Sequence, residues 1–161
     1  MQRSVKAGVD TVEHGRFLTE EDVTLMREHN TALVNNLLWT LSPFTLRQFP
    51  EAEEVARQSV QRPYQAGLRM GIGADAYPVD HALAREAEAF VRLGMSEQDV
   101  LSALTSINAE ICGVPDRGLI APGKLADLVM LAANPMKDIR ALREIRGVIK
   151  GGEVAHWHVE A

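Results

Sequence analysis

One cysteine, Cys112, stands alone in 161 residues. With nothing inside the chain to pair with, it excludes an internal disulfide framework and fits a reducing compartment. No apolar run approaches the roughly 18 residues of a membrane-spanning helix. The opening "MQRSVKAG" lacks the apolar core of a signal peptide. Basic residues are in the minority: 17 Lys and Arg face 22 Asp and Glu, for a net charge of -5. No basic cluster with interleaved aromatics occurs, which argues against a nucleic-acid ligand, since phosphate binding needs a concentrated basic surface. Internal repeats and low-complexity tracts are also missing. What the chain does have is 46% hydrophobic and 24% charged residues, the composition of a globular domain long enough for a real core. A cytoplasmic location is the expectation.

Short β-type runs alternate with helical patterns over the first two thirds. "VDTVEHG" reads as a strand. "TEEDVTLMREHN" reads as a helix, with Thr19 as N-cap, Asp22 three residues on, and Val23 and Met26 on one face. "TALVNN" is the next strand. Pro43 and Pro50 bracket a loop, and "EAEEVARQSVQRPYQAG" is helical, with Pro63 expected to kink or interrupt it. "LRMGIGADA" is the third strand. "DHALAREAEAFVRLG" and "SEQDVLSALTSINAEICG" follow as two helices stopped by Gly94 and Gly113, the second capped by Ser96. This alternation argues for an α/β fold: a parallel sheet with crossover helices, open or closed. From about residue 113 the pattern changes to turns and antiparallel strands hinged on Gly151-Gly152, a small β unit of its own.

Three residues are candidates for chemistry. His14 ends the first strand-like run and is followed by Gly15. It could be satisfied by a backbone partner, or it could be a metal ligand at the strand's C-terminal end, where barrel enzymes place their chemistry. In "GIGADA", alternation puts Gly71, Gly73 and Asp75 on one face, with the glycines leaving room in front of the carboxylate. An aspartate on the inner face of a buried strand needs a positive or hydrogen-bonding partner; the competing reading is a cap for the following helix. His81, six residues past Asp75, could face the same mouth. The tail "HWH", His156 and His158, has a zinc-like spacing but no third ligand nearby, and solvated histidines are the better reading. His29 falls at a helix end, where its carbonyl neighbours are natural partners.

Taken together, these stretches are recognisable. "AGVDTVEHGRFLTEEDVTLMREHN" resembles the sixth strand and helix of the amidohydrolase superfamily, in its imidazolonepropionase-like and prolidase-like branch. "GIGADA" is similar to that family's eighth-strand "GTDA" motif, with Ala74 where threonine is usual. "LGMSEQDVLSALTSINAEICGVPDRGLIAPGKLADLVMLAANPMKDI" resembles its C-terminal signature. Two departures accompany the match. The family's first-strand HxH, fourth-strand lysine and fifth-strand histidine are absent and would lie upstream of Met1. Asn35-Asn36 stand where relatives often carry Pro-Thr.

The resemblance implies the C-terminal part of a (β/α)8 TIM barrel, strands six to eight with their helices, plus the closing strands of a small β-sandwich. Residues 1–112 would form the partial barrel of a metal-dependent hydrolase, and residues 113–161 the β-sandwich segment. It further implies hydrolysis of an amide or other C–N bond by metal-activated water, with one or two divalent ions, most often zinc, in the complete enzyme. By motif position, His14 and Asp75 would be both metal ligands and catalytic residues, and His81 would bind substrate. The substrate would be a small amide or dipeptide-like molecule. The partner would be the missing upstream barrel half, or a second copy of the chain. By itself the chain is expected to be incomplete for catalysis; the alternative is a catalytically inactive fold fragment acting as an assembly or binding module.

Overall fold

The computed structural model describes residues 1–75 and 80–158. A short helix, α1 (Gln2–Lys6), precedes strand β1 (Thr11–Glu13). Helix α2 (Glu20–Glu28) leads to β2 (Ala32–Asn35), and α3 (Pro43–Gln48) and α4 (Ala52–Gln65) lead to β3 (Met70–Ile72). The three strands form a parallel sheet in the order β1-β2-β3, with Val12 opposite Leu33 and Leu33 opposite Met70. Helices α5 (Ala82–Arg92), α6 (Glu97–Leu104) and α7 (Ser106–Ile111) follow. The expected α/β alternation is present.

Local chemistry explains where these helices start. Thr19 accepts from the Asp22 N–H while Asp22 accepts from the Thr19 N–H, a reciprocal capping box that starts α2 and turns Val23 and Met26 into the core. Ser42 caps α3 with Pro43 at its first position. The segment between Pro43 and Pro50 is therefore helical, not the loop its prolines suggested. Pro63 does not interrupt α4 either. A proline there frees the carbonyl four residues back, that of Ser59. The Asn35 side-chain amide donates to that oxygen at 3.2 Å, so the acceptor stays satisfied inside the core.

The stretch read as one helix from Ser96 to Gly113 breaks at Thr105, whose φ and ψ are -123° and -88°. The Thr105 hydroxyl bonds back to the Leu101 carbonyl. Beyond the break, Asn108 donates to the Ile72 carbonyl at 2.9 Å and fastens α7 over the end of β3. This anchor also corrects the reading of Gly71. A Cβ there would meet Asn108 Oδ1 at 2.2 Å. The glycine makes room for α7, not for a ligand in front of Asp75.

Val5, Met26, Leu33, Val60, Phe90 and Val100 are fully buried between sheet and helices. Each such side chain contributes about 1.5–3 kcal/mol of burial. The remaining strands, β4 (Leu128–Leu131), β5 (Ile145–Lys150) and β6 (Glu153–Trp157), make an antiparallel sheet in the order β4-β5-β6. Gly151 and Gly152, both at positive φ, turn the β5–β6 hairpin as their spacing suggested. A 3-10 helix (Ile139–Arg143) ties this sheet to α5 through buried Ile139 and Ala141 and an Arg143–Glu88 ion pair at 2.6 Å. Among the described residues, no helix is long and apolar enough to cross a membrane.

Candidate active site

The parallel ladder runs one residue past β1, because the His14 N–H donates to the Val34 carbonyl at 2.9 Å. His14 itself has left-handed backbone, φ 70°, and Gly15 follows at φ 53°. Glycine is required at 15 twice over: a Cβ would also meet Leu33 Cδ1 at 2.6 Å and Leu18 Cδ1 at 2.9 Å. Asp75, just past β3, is likewise left-handed, φ 38°. Neither residue lies within a strand. Their left-handed backbone departs from the extended geometry of the strands they follow. Non-glycine residues in this region cost about 1–3 kcal/mol each, and such outliers cluster at functional sites.

The two turns bring His14 and Asp75 together although β2 lies between their strands. His14 Nε2 is 3.7 Å from Asp75 Oδ2, and the side chains are 44% and 70% exposed. The other ring nitrogen of His14 faces Asn36, with Nδ1 at 3.3 Å from Oδ1 and 3.1 Å from Nδ2. With the amide oxygen inward, Asn36 accepts the Nδ1 proton and the Nε2 lone pair points at the Asp75 side. With the amide nitrogen inward, Nε2 carries the proton and can donate to the carboxylate. Asn36 thereby couples its own rotamer to the tautomer of His14.

Asn36 is held in turn by a buried polar scaffold. Three successive N–H groups leave the end of β2, and each meets a side-chain oxygen. The Asn36 N–H donates to Asn35 Oδ1 at 2.9 Å, the Leu37 N–H to Glu86 Oε2 at 2.7 Å, and the Leu38 N–H to Glu86 Oε1 at 3.0 Å. Glu86, on α5, is fully buried. Burial pushes its carboxyl up to about 7, against the pull of the Leu38 and Leu37 N–H groups.

His81 sits at the N-cap position of α5 in left-handed conformation, exposed; its carbonyl accepts the Arg85 N–H at 2.9 Å, and its side chain makes no hydrogen bond or ion pair to a described residue. Asp75 does not cap that helix. Among the described residues, no group of three or more His, Cys, Asp or Glu side chains could hold a metal ion. The tail histidines, His156 in β6 and His158 after it, are exposed. Sequence reasoning missed Asn36 as a partner of His14, and missed Glu86 altogether. One signal for Glu86 was available: it is the charged member of a helical stripe whose other members, Ala87, Phe90 and Leu93, are all buried.

Residues 1–155 match the Amidohydrolase family. The chain belongs to that family. Similar to this amidohydrolase-family chain is the imidazolonepropionase of Cutibacterium acnes, 28% identical over 138 residues that take in 81% of this chain and 32% of that protein. So is the ochratoxinase of Aspergillus niger, 26% identical over 171 residues, 94% of this chain and 35% of that protein. The crystal structure of a Xaa-Pro dipeptidase with bound methionine in the active site superposes with a TM-score of 0.80 at 29% identity, over 95% of this chain and 41% of that one. The amidohydrolase chain described here spans less than half the length of each of these proteins.

Proposed function

We propose that the chain supplies the last three strand-helix units of a (β/α)8 barrel in a metal-dependent amidohydrolase that cleaves a C–N bond of a small amide or dipeptide-like substrate. In this reading residues 1–112 are the barrel part and residues 113–161 the closing β-sandwich segment. The observation that carries it is the approach of His14 Nε2 to Asp75 Oδ2, 3.7 Å, at the C-terminal ends of parallel strands β1 and β3, with β2 between them. Families of this kind generally use divalent metals, and the named relatives are hydrolases of amide-type bonds. His14 and Asp75 are an imidazole and a carboxylate, donors of the kind that hold a divalent ion, and would hold one together here. The remaining donors would come from strands that these 161 residues do not include.

A divalent ion held there lowers the pKa of water and polarises a carbonyl. The work of this chain's own residues follows from their surroundings. Asn36 accepts the Nδ1 proton of His14 and so leaves Nε2 free as a ligand atom. The Asp75 carboxylate, in hydrogen-bond reach of the same place, takes up the proton that the attacking water loses and returns it to the leaving nitrogen. His81 is assigned to the substrate side of the mouth.

Metal analysis tests the proposal, first on the purified chain and then with the remaining barrel portion supplied in trans or in a longer chain. Alone, the chain is expected to hold substoichiometric zinc and to turn over little. With the remainder, near-stoichiometric metal and amide hydrolysis are expected, both lost in His14→Ala and turnover lost in Asp75→Asn. Stoichiometric zinc and metal-dependent turnover by the 161-residue chain alone would contradict the incompleteness; a completed barrel without activity would leave only a binding module.

A further inference from the structure

A groove of about 340 Å³ opens beside the recess that holds His14. Phe17, Trp39, Phe44 and Phe49 wall it, and Arg16 and Thr40 complete the lining that matters here. Arg16 and Phe17 line both the groove and the His14 recess, so the two share a wall built from the turn after β1.

Exposed aromatic surface is costly unless something uses it. Here Phe17 is 81% exposed, Trp39 61%, Phe44 56% and Phe49 54%. Three of the chain's four phenylalanines thus stand in one patch. Trp39 and Phe44 lie with ring centroids 6.2 Å apart at a 45° tilt, leaving their faces open to a third ring.

Polar groups in the same lining are unspent. Thr40 is only 4% exposed, yet its Oγ1 has no hydrogen-bond partner among the described residues. A buried hydroxyl left this way costs about 1–3 kcal/mol. The Arg16 guanidinium makes no hydrogen bond or ion pair with a described residue, and its Nε is buried without a partner. With its terminal nitrogens unpaired by any described residue, the guanidinium suits an anion, above all a carboxylate. The acidic residue of the lining, Glu51, is exposed and screened by solvent.

We infer that this groove is a subsite for an aromatic carboxylate: it takes the part of the substrate that carries a flat ring and a carboxylate group. The ring lies against Trp39 and Phe44, and the carboxylate pairs with the terminal nitrogens of Arg16. The inference rests on the reading of His14 as part of an amide-cleaving site, since Arg16 follows His14 by two residues after β1.

Calorimetric titration of 3-phenylpropionate into the chain, without added metal, tests it. Saturable one-to-one binding is expected. The alcohol 3-phenylpropanol should bind roughly tenfold more weakly or worse, having lost the charge-assisted pair. Arg16→Gln and Trp39→Ala should weaken 3-phenylpropionate by a similar factor with the circular dichroism spectrum unchanged, and Arg16→Lys should restore part of the loss. Because no metal or turnover enters, this result stands or falls separately from the hydrolase reading, which metal analysis decides. Equal affinity for acid and alcohol, an unaffected Arg16→Gln, or no saturable binding would overturn the inference. So would a concentration-dependent change in tryptophan fluorescence without ligand that Trp39→Phe abolishes and Thr11→Pro does not, which would place a second copy of the chain in the groove.

Discussion

The Glu86 carboxylate accepts the Leu37 N–H at 2.7 Å across 49 residues of sequence, and its second oxygen takes the next N–H, that of Leu38. One buried side chain on α5 therefore fixes the turn that follows β2. That turn begins at Asn36, and Asn36 holds the ring of His14. Removing the carboxylate strands two buried donors, each costing about 1–3 kcal/mol. Glu86→Ala should lower stability by about 2–4 kcal/mol in urea unfolding. A loss near the 0.5 kcal/mol of an ordinary surface change would show that the turn holds without it.

The same residue sets a pH dependence with a defined sign. Its folded value, raised by burial from 4.5 to about 7, means that the native state keeps a proton which the unfolded chain has released. That contribution is complete below the unfolded value and is lost as pH rises through the folded one. Stability should accordingly fall between about pH 5 and pH 7, at no more than about 1.4 kcal/mol per unit. Carboxyls held low, such as Asp138 at about 2 through its Arg140 partner, titrate below this window. Urea midpoints at pH 5 and 7.5 check the slope, and Glu86→Gln should flatten it.

The buried Asn36 side chain reaches the His14 ring. Outer partners of a metal-binding histidine typically change metal affinity by about 10–100-fold when removed. In the barrel completed with its remaining portion, Asn36→Leu should weaken zinc binding within that range, and Asn36→Asp should retain most of it. Competition with a chromogenic chelator measures both. Unchanged affinity in Asn36→Leu would remove Asn36 from the site.

How much of this was legible follows from the range of each interaction. The Thr19–Asp22 box, the Gly151-Gly152 hairpin and the α/β alternation are local, and the chain spells them out within a few residues. His14 and Asp75 stood out through motif resemblance, whereas their left-handed backbone just past the strands is not something a period-2 pattern encodes. Asn36 and Glu86 work through partners 22 and 49 residues away, which no local pattern encodes. Pro63 misled for a related reason: the carbonyl it frees is claimed by Asn35, 24 residues upstream of Ser59. The aromatic groove was not read from the sequence because Phe17 joins Trp39, Phe44 and Phe49 from a stretch more than twenty residues away.

The open side of the parallel sheet should drive association. Among the described residues, nothing pairs with the outer edge of β1, whereas the β3 side is blunted by Asn108 on the Ile72 carbonyl. His14 directs its N–H to β2, so in a strand the N–H of Thr11, of opposite parity, points outward. Free strand edges of this kind recruit other chains. Light scattering at micromolar concentration should give a mass above the monomer, and Thr11→Pro, which removes an outward donor at the first strand position, should lower it. A clean monomer for the parent chain would count against this.

Gly71 and Gly73 look alike in the sequence and should behave differently when substituted. A Cβ at Gly71 would sit 2.2 Å from Asn108 Oδ1 and 3.0 Å from Ile111 Cδ1, so one of the two must move. Asn108 cannot move freely, because its amide nitrogen holds the Ile72 carbonyl at 2.9 Å. Gly71→Ala therefore trades overpacking against a lost buried hydrogen bond, and about 1–3 kcal/mol of destabilisation is expected. At Gly73 the nearest atom would be Val34 Cγ1 at 3.4 Å, ordinary contact, and Gly73→Ala should change stability little. A double-mutant cycle separates packing from any effect on the site. Asn108→Ala removes the obstructing oxygen, so Gly71→Ala should cost less in that background than in the parent. Equal costs in the two backgrounds would show that Gly71 answers to something other than α7, and the older reading, room kept in front of Asp75, would return.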